Sequence, residues 1–230
     1  MTVLLTDDGS YSKIHPDHGE AYHSRGGAKK EAQGLYIQGS GFREFLRGRT
    51  REVRVLDLGL GLGYNALSTL EAWVQVKDAP PLSMWSLEQD PELLRELLSG
   101  QAPWQKGWPG LWIFWVQAQA AGLKLQHPNG AQGTWEILLG DALEAQLPVG
   151  VHFIWQDFFS PPKNPDLWTG AWFETLAQAS GEGACLMTYT VAGAIRRALQ
   201  GAGWAWEKIP GGQGKKEWLR ARRTPQVPWV

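Results

Sequence analysis

The glycine-rich turn Asp57-Leu58-Gly59-Leu60-Gly61-Leu62-Gly63 constrains this chain more than any other stretch, because of what stands on either side of it. An alternating apolar run, Arg51 to Leu58, leads into the turn, and a run with helical spacing, Tyr64 to Val76, leaves it. Glycines let the backbone turn sharply and approach a ligand closely, and the N-terminus of the next helix favours anionic groups. Strand, glycine turn and helix in this order begin a doubly wound α/β fold, in which ligands bind beyond the carboxyl ends of the strands.

The alternation continues. Leu82 to Glu88 predicts a second strand, and Pro91 to Leu98 a helix with Asp90 as N-cap and proline in its first turn. Thr134 to Gly140, Val151 to Gln156 and Ala184 to Thr190 predict further strands, with helices at Pro165 to Ala179 and Ala192 to Gly201. Trp204 to Ile209 and Glu217 to Arg222 flank Pro210-Gly211-Gly212-Gln213-Gly214 and read as a terminal hairpin. The expected fold is α/β, a mostly parallel sheet covered on both faces with an antiparallel edge. Gln101 to Asn129 is broken by Pro103, Gly107, Pro109 and Gly110, and its apolar part, Leu111 to Leu125, fits helix or strand. The first fifty residues are polar and poorly periodic. They are expected to form an appendage, with a helix around Ala28 to Gln33, packed on a main domain of residues 51–230.

At 230 residues and 43% hydrophobic content the chain can fill one sizeable core. No apolar run reaches membrane-spanning length, and Met1 to Gly9 lacks the charged-then-apolar order of a signal peptide, so a cytoplasmic location is expected. Cys185 is the one cysteine, which rules out an intrachain disulfide and a cysteine zinc cluster and reads as a buried strand thiol. His15, His18 and His23 have no acidic or cysteine set to complete a ligand group, so no metal is expected. The net charge of −1 argues against indiscriminate polyanion binding. Two basic clusters remain as local phosphate contacts or solvated surface: Arg43, Arg47, Arg49, Arg51 and Arg54, and the C-terminal group from Lys208 through Lys215, Lys216 and Arg220 to Arg223. Arg196 and Arg197, one turn into a helix, pose the same choice. Trp85, Trp155 and Trp172 sit in apolar periodic runs and are expected in the core. No Gly-x-Ser-x-Gly elbow and no Gly-Lys-Ser/Thr phosphate loop occurs, which removes serine hydrolases and P-loop enzymes.

The strand ends carry the chemistry. A dinucleotide fingerprint wants glycine at its first, third and sixth positions, whereas here Gly59 and Gly61 are followed by Tyr64 at the sixth. Asp57, Gly59, Gly61 and Gly63 form the proposed cofactor cradle. Glu88 ends the second strand, where its carboxylate can accept both ribose hydroxyls, and Asp141 ends a later strand, where it can meet an adenine amino group. This is the general layout of S-adenosylmethionine sites; a structural turn with ordinary surface acids is the alternative. Asp157-Phe158-Phe159-Ser160-Pro161-Pro162-Lys163-Asn164-Pro165 follows the strand Val151 to Gln156, placing a carboxylate and aromatics at the same sheet edge. Asp157 there can orient an amine and accept its proton, while Phe158 and Phe159 lower the polarity; a turn or helix-cap aspartate is the alternative. Phe159 or Trp168 is placed to stack on an unstacked base.

The chain resembles the methyltransferase part of the MnmC-type bacterial enzymes that make 5-methylaminomethyl-2-thiouridine in tRNA. The matching segments are Asp8-Gly9-Ser10, Gly19-Glu20-Ala21-Tyr22-His23-Ser24, Gly27-Ala28, Glu31-Ala32, Leu58 to Asn65 and Gly140-Asp141-Ala142. The densest match runs from Asp157 through Lys163-Asn164-Pro165 to Leu167-Trp168 and Thr169, with Thr188-Tyr189-Thr190, Arg196-Arg197 and Gly214-Lys215-Lys216-Glu217 beyond it. The resemblance implies a class I, Rossmann-like methyltransferase sheet. It also implies methyl transfer from S-adenosylmethionine to the exocyclic amine of 5-aminomethyl(-2-thio)uridine at the tRNA wobble position. It assigns Asp157 as candidate catalytic residue, adds Asn65 and Ala142 to the cofactor site, and places Tyr22, His23, Lys163, Asn164, Arg196, Lys215 and Lys216 toward the substrate, the tRNA anticodon region. Phe158 stands where a small residue is common in the family. The flavin oxidoreductase of the two-domain form is not in this sequence, which implies a separate upstream enzyme supplying the aminomethyl nucleoside, and a monomer is expected. Two other functions stay open: an aminopropyltransferase using decarboxylated S-adenosylmethionine, and a non-catalytic tRNA-binding module that would bind RNA without the cofactor.

Overall fold

The computed structural model describes residues 3–99, 102–104, 123–212 and 214–224. Its centre is an eight-stranded sheet. The strands are β3 (Val53–Leu58), β4 (Leu82–Glu88), β5 (Leu123–Gln126), β6 (Gln132–Leu139), β7 (Val151–Gln156), β8 (Ser180–Thr188), β9 (Trp204–Pro210) and β10 (Glu217–Arg223), in the order β5-β6-β4-β3-β7-β8-β10-β9. The five strands from β6 to β8 are parallel. The chain winds outward from β3 through β4 to β6, then returns to β7 and β8 on the other side, so the switch point lies between β3 and β7.

Alternation along each strand builds two core layers. Val53 and Val55 of β3, Phe153 and Trp155 of β7, and Cys185 and Met187 of β8 face one side. Leu56 and Leu58, Ile154 and Leu186 face the other. The first layer is closed by α2 (Phe42–Leu46), α3 (Tyr64–Val74) and α4 (Pro91–Leu98), the second by α5 (Gly170–Ala179) and α6 (Gly193–Gly201). Asp90 caps α4 as its sequence suggests, accepting from Glu92 N at 2.8 Å and Leu93 N at 3.2 Å. Residues 1–50 contribute a small antiparallel pair, β1 (Val3–Leu5) and β2 (Tyr11–Lys13), and a helical stretch whose Ala28, Ala32, Leu35, Tyr36, Ile37, Phe42 and Leu46 are buried in the first layer.

Four elements differ from their sequence patterns. The helix read at Ala28 to Gln33 is α1 (Ala28–Glu31) and runs on without a break as a π-helix, Ala32–Gln38. Gly39 N closes the wide turn on Gly34 O, and a Cβ on Gly39 would lie 2.5 Å from Leu35 O and 2.8 Å from Ile209 Cδ1, so only glycine lets the helix end so close to β9. The helix at Pro165 to Ala179 is two pieces, a 3-10 turn at Pro165–Trp168 and α5. Thr169 separates them with an extended backbone and caps α5 by accepting from Trp172 N. The terminal hairpin does not simply add an edge: β10 inserts antiparallel between β8 and β9. A second antiparallel strand, β5, forms the opposite edge, and residues 105–122 before it lie outside the described residues. Trp155 and Trp172 are core residues as expected, while Trp85 is half-buried beside Glu136.

Gly201 closes α6 with helical dihedrals, exposed, and with nothing within 4 Å of an added Cβ. Gly201→Ala is therefore expected to raise stability by about 0.4–1 kcal/mol, chiefly by restricting the unfolded chain. The check is a higher denaturant midpoint at unchanged slope.

Candidate active site

The carboxyl ends of β3, β4, β6 and β7 open into a cavity of about 270 Å³ that the N-terminal residues roof over. Gly59 and Gly61 form its floor at φ 89° and 52°, with Leu60 N held by Leu87 O and Gly61 N by Glu88 Oε2. The Tyr22 ring lies against Gly61. Tyr22 packs edge-on to Phe159, which also touches His15 and His18, so the appendage and the loop after β7 share one aromatic cluster. Glu20 fixes that loop by accepting from Ser160 Oγ at 2.7 Å.

Asp157 stands in the cavity wall. Asn65 Nδ2 donates to its Oδ2 at 2.8 Å, and the Tyr36 hydroxyl, which donates to the neighbouring Gln156 O at 3.5 Å, comes up from the π-helix beside the carboxylate and favours its ionised form. Burial pushes the Asp157 pKa up to about 7, against the opposing effect of these two groups; Glu31 adds to the rise and Lys215 counters it. Asp157 thus titrates near neutrality, where a proton acceptor works best. Tyr189 closes the wall by donating to Phe158 O at 3.0 Å.

The structure brings together most residues singled out in the sequence. Gly59, Gly61, Asn65, Glu88, Asp141, Ala142, Tyr22, His23, Asp157, Phe159, Asn164 and Lys215 all line the cavity. Glu88, however, already accepts from Gln89 N and Asp90 N through Oε1 and from Gly61 N through Oε2. A carboxylate has about four acceptor positions, so roughly one remains, enough for a single ribose hydroxyl rather than two.

Other residues stand elsewhere. Asp57 is fully buried beneath the floor, accepting from Ser86 Oγ, and does not reach the cavity. Gly63 is also outside it; its φ of 80° starts α3. Lys163 is exposed, since the Ser160–Lys163 turn points its side chain away from the lining. Trp168 is buried and donates to Phe159 O, so it supports the loop and has no free face for a base. Arg196 lies on α6 with its guanidinium 4.8 Å from the Trp206 ring, outside the lining. The arginines near residue 50 gather at the amino end of β3, about 20 Å from the cavity by strand length. Arg54 pairs with Glu52, Arg49 covers Phe45 and Arg43 donates to Gln75. In the C-terminal group Lys208 pairs with Glu217 and Arg220 with Glu207. Lys215, unlike the rest of this group, turns inward to Glu31 at 2.6 Å in the cavity wall, while Lys216 is exposed.

Tyr36 was not legible as a site residue, because the helix pattern stops at Gln33 and only the π-helix carries the phenol to Asp157. The glycine pair at Gly34 and Gly39 is the one local signal of unusual winding there.

Asp57 offers a test of the buried floor. Burial pushes its pKa up to about 8, opposed by the Ser86 hydrogen bond. The folded protein thus holds a proton that the unfolded chain releases near pH 4, so stability falls as pH rises through about 8. Asp57→Asn is expected to flatten this decline, measured as melting temperature against pH.

The cavity suits an adenosyl sulfonium ligand. Two glycines keep its floor open, a carboxylate stands at the end of β4, and Asn65 Oδ1, His23 Nδ1 and Ser24 Oγ are buried polar atoms without partners. The family described as S-adenosyl-L-methionine-dependent methyltransferase matches residues 104–224, more than half of the sequence. The chain belongs to this family. Among curated relatives of the methyltransferase, the "tRNA 5-methylaminomethyl-2-thiouridine biosynthesis bifunctional protein MnmC" of Aromatoleum aromaticum is 33% identical over 233 residues, covering 96% of this chain and 35% of that protein. The protein of the same name from Azoarcus sp. is 34% identical over 235 residues, with the same coverage. The methyltransferase thus spans about a third of the length of these relatives. Among solved structures, MNMC2 from Aquifex Aeolicus superposes with TM-score 0.73 at 24% identity, covering 99% of this chain and 72% of the other. Spermidine synthase from Thermotoga Maritima superposes with TM-score 0.56 at 12% identity, covering 97% and 72%. Both likenesses support the class I fold alone. No helix among the described residues is long and apolar enough to cross a membrane.

Proposed function

We propose that this methyltransferase acts on the exocyclic amine of 5-aminomethyl(-2-thio)uridine at the tRNA wobble position, giving 5-methylaminomethyl(-2-thio)uridine. The carrying observation is Asp157, a carboxyl group titrating at about 7 in the wall of a cavity floored by Gly59 and Gly61. The relatives named for 5-methylaminomethyl-2-thiouridine biosynthesis, matching along 96% of this chain, supply the acceptor.

An aminomethyl group is an ammonium at neutral pH and has no lone pair with which to attack. Asp157, ionised, takes one of its protons, with Asn65 Nδ2 holding the carboxylate in place and Tyr36 beside it favouring the ionised form. S-adenosylmethionine, held over Gly59 and Gly61, would supply a methyl carbon made electrophilic by its sulfonium. The freed nitrogen lone pair would take that methyl, the C–S bonding pair remaining on sulfur, to give a secondary ammonium. Phe158 and Phe159 keep water from the nitrogen.

The pyrimidine would leave the anticodon stack to enter, with Phe159 as the ring it meets and Asn164 at the loop edge. Lys216, exposed beside the cavity's Lys215, is the candidate phosphate contact. A separate enzyme would supply the aminomethyl nucleoside, and a monomer in the cytoplasm is the working arrangement. Incubation with S-adenosylmethionine and tRNA bearing 5-aminomethyluridine, followed by nucleoside mass spectrometry, tests the reading. The expected result is one added methyl on that nucleoside, and no aminopropyl product from putrescine with decarboxylated S-adenosylmethionine. Unmodified tRNA after complete incubation would refute it.

A further inference from the structure

We propose that Glu31 and Lys215 form the subsite for the amino-acid head of the cofactor, and that Lys215 makes the site selective for S-adenosylmethionine over its decarboxylated form. Nζ of Lys215 and Oε1 of Glu31 are 2.6 Å apart in the cavity wall, where the Glu31 side chain is only 11% exposed. An α-amino acid carries an ammonium and a carboxylate on one carbon, and this pair of opposite charges is its complement. Each partner keeps capacity: Lys215 has three donors and Glu31 about four acceptor positions. Glu31 Oε2 is engaged only at 3.4 Å by Ser24 N, and Lys215 Nζ otherwise stands 4.6 Å over the Tyr189 ring.

Charge sharpens the assignment. The described lining contains five carboxylates, Glu20, Glu31, Glu88, Asp141 and Asp157, and Lys215 as its one lysine or arginine. A sulfonium and an ammonium are welcome among so many acids, whereas a ligand carboxylate has one cation to meet. Two buried atoms without partners, His23 Nδ1 and Ser24 Oγ, line the same cavity and add polar contacts for a carboxylate. Position agrees as well. Glu88 and Asp141 end β4 and β6 on one side of β3, while Lys215 comes from the β9–β10 connection on the other. Gly59 and Asp157, on β3 and β7, lie between, so a ligand with its adenosine at Glu88 and its head group at Lys215 puts the sulfonium beside Asp157.

The subsite concerns the cofactor alone and is independent of the tRNA acceptor, so it is tested by binding rather than turnover. Calorimetry with S-adenosylmethionine and with decarboxylated S-adenosylmethionine is expected to show the first bound about 10- to 100-fold more tightly, the worth of a charge-assisted hydrogen bond. Lys215→Met should remove that preference by weakening S-adenosylmethionine alone, Lys215→Arg should keep it, and Glu31→Gln should weaken both ligands. Equal affinity of the unaltered protein for the two ligands would overturn the proposal without any variant. So would equal losses for both ligands in Lys215→Met. Loss of methyl transfer to tRNA with the preference intact would instead sink the acceptor reading and leave this one standing.

Discussion

Asp157→Asn is expected to lower the single-turnover rate of methyl transfer by about 10²–10⁴-fold, the span of a lost general base, while S-adenosylmethionine affinity stays essentially unchanged. Asparagine keeps the size of the side chain and an oxygen for Asn65 Nδ2, now 2.8 Å from the carboxylate, but it cannot take a proton. The pH profile separates this from a structural effect. Burial holds the carboxyl up to about 7, so the active, ionised form accumulates as pH rises through that value, and kcat/KM should rise with it. In Asp157→Asn that limb should vanish. Tyr36→Phe removes a donor that favours the ionised form, so its limb should move to higher pH. Stability runs the other way. A folded-state pKa raised from 3.8 means that stability is fully present below the unfolded value and is lost as pH rises through about 7. Asp157→Asn should therefore melt higher than the parent at pH 8, the stability cost of a buried functional charge being released. An unchanged single-turnover rate would remove Asp157 from catalysis.

The sheet was legible because each strand wears its burial in its spelling. Val53, Val55, Leu56 and Leu58 alternate between two core layers around a glycine turn, and that pattern reports on its own surroundings without help from distant residues. Asp90, Glu88 and Asp157 were legible because strand ends and caps are local events. What could not be read depends on partners far away in sequence. The position of β10 beside β8 is a choice among sheet neighbours, and a hairpin pattern is the same whether it adds an edge or inserts. The π-helix is stabilised by Gly39 lodging against Ile209 and Met187, nearly 150 residues or more away, so no pattern within Ala28 to Gln38 reveals that Tyr36 reaches Asp157.

Charge misled in the same way. Lys215 and Lys216 look alike in sequence, yet one meets Glu31, 184 positions earlier, and the other faces solvent. Asp57 heads the glycine turn but alternation turns it into the core beneath the cavity, where Ser86 is its partner. Sequence position gave the neighbourhood of each group, and the face it points to came only with the packed sheet.

Gly59→Val should abolish measurable cofactor binding and lower the melting temperature together, a larger change than any contact-residue variant at the cavity rim. Gly59 sits at φ 89°, a backbone region that a β-branched side chain reaches only with strain of about 1–3 kcal/mol. An added Cβ would lie 3.1 Å from Asp157 O and 3.3 Å from Phe158 Cδ1, before the two valine methyls are counted. The backbone it meets cannot retreat easily, because Asp157 N is tied to Leu58 O at 3.0 Å and β7 pairs with β3 along this stretch. The neighbouring loop is equally fixed, Leu60 N to Leu87 O and Gly61 N to Glu88. Relief must come from pushing Asp157 and Phe158 outward, which shifts the carboxylate away from Asn65 and fills the floor where a ligand would lie. Calorimetry with S-adenosylmethionine and a melting curve without it are the two measurements. Tight binding in a folded Gly59→Val protein would show that the floor between β3 and β7 is not where the cofactor lies.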